Sequence, residues 1–281
     1  MKITARSLVF DVVEGGPPDG PPVLLLHGFP QHSGEWAGVT PLLHAAGLRT
    51  YALDQRGTSP GARPSEVEAY RITECALDAV AVLDELGIPA VHLVGHDWGA
   101  ICAWHVALRH PARVRTLTAV SVPHPHATAR AYLFDADQRE RSAYIKLFRQ
   151  PGKAEEVLLE GDAHRMRALF AGSGLTAEGV DRYVRPLQEP GALTAALNWY
   201  RAMNPKGDLI GIGRCHVPTT YVWSDDDLAI GATAARGCAS HVAADYRFVP
   251  LPGVSHWIPD QVPGAVADAI IARCMAVATG G

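Results

Sequence analysis

The chain reads as an α/β protein: a mostly parallel central sheet with helices on both faces and one long helical insertion. Three observations predict this. Short, wholly apolar runs such as VLLLHG (23–28) and AVHLVGH (90–96) fit strands buried on both faces. Segments of helical period, at 72–87 and from Trp98 to about His110, alternate with them. From about residue 124 to 210 the apolar runs stop, and charged, helix-prone sequence such as ADQRERSAYIKLFRQPGKAEEVLLE takes over.

In chain order, MKITARSLVFDVVEGG alternates apolar and polar residues like a strand and meets the turn cluster GGPPDGPP. VLLLHG follows, then a helix over 35–47 that closes on a glycine, a strand at 49–54 (RTYALD) and the helix 72–87. Strand 90–96 leads into the helix from Trp98, and VRTLTAVSVP (114–123) is the next strand. After the insertion, TTYVWSD (219–225) and YRFVPLPG (246–253) read as strands and 262–278 as a closing helix. Residues 1–123 and 211–281 therefore form the core, and 124–210 an insertion placed to lie over the carboxyl edge of the sheet.

The composition is that of a soluble globular protein, with 281 residues, 48% hydrophobic and 19% charged. A net charge of −4 with scattered basic residues excludes a broad nucleic-acid-binding surface. Five cysteines without a CxxC pair read as reduced thiols rather than a disulfide frame or a zinc site. No apolar run approaches the roughly 20 residues that cross a bilayer, and the N-terminus lacks a signal-peptide core. The expectation is a cytoplasmic protein.

In parallel sheets, reactive groups collect where strands end. Three candidates fall there, in the order Asp97 in GHDWG, an acid in WSDDDLAIG, and His256 in PGVSHW. The glycines around Asp97 permit a tight turn that lifts its side chain clear of the sheet. A carboxylate in that place suits attack on a saturated carbon. It forms an ester whose carbonyl belongs to the protein, so water activated by a histidine can release it. The dipole of the following helix favours the ionised carboxylate.

The order of nucleophile, acid and histidine, with the strand–turn–helix around Asp97, is that of the α/β-hydrolase fold. The chain resembles the epoxide hydrolase branch of that superfamily over most of its length. The resemblance rests on HGFP (27–30), DQRG (54–57), GHDWG (95–99), NWYRAM (198–203) and SHW (255–257). It implies an oxyanion site at the main-chain N–H groups of Phe29 and Trp98, and a lid whose tyrosines protonate the epoxide oxygen. NWYR maps one of these to Tyr200, and YIKLFRQPG (144–152) maps the other to Tyr144, with Tyr132 and Tyr183 as rivals. The usual Asp-x-Asp pattern after the strand picks Asp227 as partner of His256, with Asp225 as the alternative. The implied partners are a small apolar epoxide and water, with no metal or organic cofactor, no nucleic acid and no membrane, in a monomer or homodimer.

The nearest rival is a haloalkane or haloacetate dehalogenase, which shares the aspartate nucleophile and in which Trp98 would donate its indole N–H to halide. Such enzymes typically carry asparagine where Phe29 stands, or arginine where Trp98 stands, and both departures count against that reading. A non-catalytic, ligand-binding relative is the alternative of another class. Trp98 and Trp199 are expected to wall an apolar pocket, and Trp36 and Trp104 to serve there or in the core. The plainer expectations are that His96 packs behind the turn, that HPH (124–126) is a structural corner, and that Arg56 satisfies nearby carbonyls.

Overall fold

A computed structural model of the chain describes residues 1–278. Eight strands form one sheet: β1 (Lys2–Ala5), β2 (Leu8–Gly15), β3 (Pro22–Leu26), β4 (Arg49–Leu53), β5 (Val91–His96), β6 (Val114–Val120), β7 (Thr219–Asp226) and β8 (Tyr246–Ser255). Their order is β1-β2-β4-β3-β5-β6-β7-β8. The pairs β1–β2 and β2–β4 are antiparallel, and every pair from β4 to β8 is parallel. Most of the expected strands and helices are present, with ends moved by a few residues.

Alternation along the strands sorts the core onto two faces. In β3, Leu24 and Leu26 join the side covered by the helices Ile72–Glu85 and Trp98–Arg109. Val23 and Leu25 join the side covered by Thr40–Ala45 and Pro263–Ala278. Every residue of β5 is buried, as a strand at the centre of a doubly covered sheet requires.

Two expected elements differ. The single N-terminal strand is a hairpin that turns at Arg6 (φ 51°) and Ser7 (φ 61°). Neither residue is glycine or asparagine, so the usual tight-turn signal is missing. The guanidinium of Arg6 holds the turn by bonding Glu74 and Asp78. The helix expected over 35–47 is split into a short turn, Ser33–Trp36, and the helix Thr40–Ala45. Pro41 sits in the first turn of the second piece, where a missing N–H costs nothing, and could not continue a helix arriving from before it.

Between β6 and β7 lie six helices: Pro125–Phe134, Ala136–Arg141, Ile145–Phe148, Lys153–Ala168, Ala177–Leu187 and Ala192–Ala202. The fourth is broken at Glu160–Ala163, where three consecutive residues take positive φ. The sixth lies on the core, burying Ala195, Ala196, Leu197, Trp199 and Tyr200. The HPH corner is structural as expected: His124 and His126 sit against the carbonyls of Gly213 and Ile212, tying the outgoing chain to the returning one. Among the described residues, no helix is long and apolar enough to cross a membrane.

Candidate active site

The site begins where β5 runs out. Asp97 follows His96 with φ 50° and ψ −117°, a backbone that an L-residue adopts only under constraint. The constraint is backbone packing. A Cβ on Gly99 would lie 2.0 Å from the Leu26 carbonyl oxygen, and one on Gly95 would lie 2.1 Å from the Gly99 carbonyl oxygen. Only hydrogen fits at both places, so the strand-to-helix corner closes tightly and Asp97 projects from it.

Asp97 is buried, yet both its oxygens have company. Oδ1 accepts the main-chain N–H of Phe29 at 2.9 Å. Oδ2 lies 3.6 Å from His256 Nε2, an ion-pair separation just longer than a hydrogen bond. Burial alone would push this carboxyl up. The neighbouring imidazoles of His256 and His96, with the Phe29 N–H, outweigh that and hold it below its usual value. The Asp97 side chain makes no capping bond to the following helix, so its ionisation rests on these neighbours more than on the helix terminus.

His256 stands just past the end of β8, and its Nδ1 lies 2.9 Å from Asp227 Oδ1. Asp227 is fully buried at the end of β7. Its Oδ1 also accepts the N–H groups of Ala229 and Ile230, and its Oδ2 accepts the hydroxyl of Ser121 at 2.6 Å. Burial opposes this charge too, but His256, Ser121 and the Ala229 N–H hold the carboxyl low. Asp225 instead points outward and accepts the Gly253 N–H. Of the two aspartates left open by the sequence, the structure pairs Asp227 with the imidazole. Burial pulls His256 down, but two flanking carboxylates, Asp227 and then Asp97, push it up to about 10.

The helical insertion supplies the facing wall. Tyr144 precedes the short helix Ile145–Phe148, Tyr200 lies in the last turn of Ala192–Ala202, and their rings are 6.1 Å apart. With Asp97 and His256 they line a cavity of about 150 Å³. The remaining wall is almost wholly apolar, made by Phe29, Pro30, Phe148, Leu169, Leu228 and Trp257, together with Ala229. Burial, reinforced by the Asp97 charge, raises both phenols above their ordinary value, so each keeps its proton. The rivals fall elsewhere. Tyr132 is half exposed, and Tyr183 donates to Asp260.

Several expectations need correction. Trp98 and Trp199 pack against each other at a tilt and lie behind the cavity wall, where Trp98 sits edge-on to Tyr200. Trp36 and Trp104 take the core role, one of the two expected for them, and are completely buried. Arg56 forms a buried two-pronged pair with the Asp78 carboxylate and reaches a single carbonyl, that of Ala69. Sequence reasoning also missed Ser121, Phe148, Leu169, Leu228 and Trp257. Ser121 left a faint signal, as a serine just past the end of the strand 114–120. The others are ordinary apolar residues whose place depends on how the insertion folds back.

Known proteins share this fold. The family model described as the alpha/beta hydrolase fold matches residues 21–262. The AB hydrolase superfamily protein YfhM of Bacillus subtilis is 31% identical, over 96% of this chain and 95% of that protein. Epoxide hydrolase A of Mycobacterium tuberculosis is 32% identical, over 92% of each. Among solved structures, a mutant of an epoxide hydrolase from Bacillus megaterium, crystallised with its product, a naphthyloxy-propane-1,2-diol, superposes with a TM-score of 0.89. That match has 26% identity and covers 98% of this chain and all of that one (100%).

Proposed function

The chain belongs to the α/β-hydrolase fold family, and from that premise we propose that it hydrolyses small apolar epoxides to vicinal diols. One observation carries the reading: a single apolar cavity presents an ionised carboxylate, Asp97, opposite two protonated phenols, Tyr144 and Tyr200. Opening an epoxide needs both, since the ring carbon requires a nucleophile and the departing alkoxide requires a proton donor. The named epoxide hydrolases among its relatives support the same conclusion.

Asp97 Oδ2 is the attacking oxygen, because Oδ1 is occupied by the Phe29 N–H. As the C–O bond of the ring breaks, its electron pair takes a proton from one of the two phenols, leaving a hydroxyalkyl ester on Asp97. Water then attacks the ester carbonyl. His256 accepts a proton from that water, and the Phe29 N–H, aided by that of Trp98, holds the negative oxygen that develops on the former Oδ1. Collapse of the tetrahedral intermediate breaks the ester C–O bond, and the departing alkoxide takes the proton of the newly formed Asp97 carboxyl group, giving the diol, the Asp97 carboxylate and the protonated His256 with which the cycle began.

The electrostatics time the two steps. While Asp97 is ionised, His256 is held up at about 10 and is already protonated, unable to act as a base. Esterification abolishes one of the two carboxylate charges that hold it there, so its basicity falls, and the imidazolium proton passes to the phenolate left by ring opening, which restores the phenol and leaves His256 neutral and able to take a proton from water. Water activation is thereby confined to the loaded enzyme.

Dehalogenation is the weaker reading. Trp98 is not among the residues that line the cavity, and a departing halide has no need of phenol protons. The five cysteines are buried and unpaired, which suits the reducing cytoplasm in which we place the protein. The decisive experiment is a single turnover in heavy-oxygen water. Attack by Asp97 puts ordinary oxygen into the first diol and the label into the enzyme. A first diol carrying the label would mean direct attack by water.

A further inference from the structure

Between the loop of Asp227 and the segment of Tyr144 runs a set of bonds that the chemistry above leaves unused. Gln138, in the insertion helix Ala136–Arg141, is 1% exposed and stands outside the cavity wall. Its Nε2 donates to the Ala229 carbonyl at 2.8 Å, and its Oε1 accepts the Gly231 N–H at 2.9 Å. Nε2 also lies 3.2 Å from the Ser142 hydroxyl oxygen. One turn further on, the Arg141 guanidinium donates to the main-chain carbonyl of Asp227. Two side chains of one short helix thus grip the loop 227–231 by its main chain.

Both ends of this grip reach reacting groups. In the loop, Asp227 Oδ1 accepts the N–H groups of Ala229 and Ile230, so residue 229 is bonded to the carboxylate through its N–H and to Gln138 through its carbonyl. On the helix side there is little slack. The Ser142 N–H donates to the Gln138 carbonyl and the Ile145 N–H to that of Ser142, with Tyr144 between those bonds. The Tyr144 ring rests on Phe148 and Tyr200, while the point from which it springs is set by the helix. The two loop partners of Gln138 are of opposite kind, and an amide serves both. An ionised carboxylate would bring no proton to the Ala229 carbonyl, and a hydrocarbon would leave both buried groups unpaired.

We infer that Gln138, seconded by Arg141, is a positioning residue that holds the proton donor Tyr144 in register with the loop of Asp227. The consequence is particular. Tyr144 gives its proton in ring opening, and Asp227 supports the base of ester hydrolysis. A residue that touches neither substrate nor cavity but fixes both groups should matter to both steps.

Gln138→Met keeps the length of the side chain and removes its bonds to the loop. In single turnovers followed by intact mass, it should slow both the rise and the decay of the alkyl-enzyme, each by about tenfold. Tyr144→Phe should slow the rise alone. This kinetic arm rests on the epoxide reading; amide hydrogen exchange in the substrate-free protein does not. The N–H groups of Ala229, Ile230 and Gly231 should exchange about tenfold faster in Gln138→Met than in wild type, with those of Leu24–Leu26 in β3 unchanged. A merely structural role would lower the melting temperature and speed exchange across the sheet while leaving both rates as they are. That pattern, a single slowed step, or unchanged exchange at 229–231 would overturn the inference. Should Gln138→Met not fold, Arg141→Met, at the partly exposed prong, decides it by the same two readouts with effects of about threefold. Should no epoxide react, hydrogen exchange still decides the inference while the function fails.

Discussion

The two walls of the cavity are made differently. On the core side, Asp97, Asp227 and His256 hang from the ends of three strands, and directional bonds hold them: Asp227 alone accepts from Ser121, Ala229 and Ile230 and pairs with His256. On the insertion side, Tyr144, Phe148 and Tyr200 are held by one another's ring faces, edge-on at 5.0–6.1 Å. Edge-on aromatic contacts tolerate small shifts that a 2.9 Å ion-pair hydrogen bond does not. Groups that exchange charge are fixed by the sheet. Groups that shape the pocket and lend protons are fixed by packing.

That contrast predicts a ladder of effects. The core side should be all-or-none: Asp97→Asn should lower turnover by about ten-thousandfold or more while leaving the fold intact. Diol formation assayed beside a thermal melt checks this, and a substantial residual rate would place the nucleophile elsewhere. The insertion side should be graded. Tyr144→Phe and Tyr200→Phe should each cost about ten- to a hundredfold in ring opening, because either phenol substitutes in part for the other, and the double variant should lose far more than one alone. Strict additivity, or no effect of the pair, would break the division of labour. The smallest effect lies in stability. The His256 cation between two carboxylates contributes stability fully below its ordinary value of 6.5, and this is lost as pH rises through about 10. Melting temperature should fall across that interval more steeply in wild type than in His256→Gln.

The same contrast explains what the sequence discloses. The core is legible because a buried parallel strand leaves a run such as VLLL, and because Gly95 and Gly99 flank Asp97 for a reason of space. His256 and an acid in WSDDDLAIG follow from strand ends and chain order, and the family resemblance picks Asp227 among the three adjacent aspartates. The hairpin at Arg6–Ser7 stays hidden because its turn uses residues that rarely take positive φ. Phe148, Leu169, Leu228 and Trp257 stay hidden because nothing local marks an apolar side chain as lining a cavity rather than filling a core.

The hydrogen-only corners at Gly95 and Gly99 have one more consequence. They leave residue 97 as an interchangeable part of a machined fitting: Gly99 is locked against the backbone of β3 and Gly95 against that of Gly99, while the side chain at 97 faces the cavity. A serine or cysteine installed at 97 should therefore seat without rebuilding the scaffold. Which atom attacks is, on this view, decided at that one position, while the facing phenols still decide what can leave.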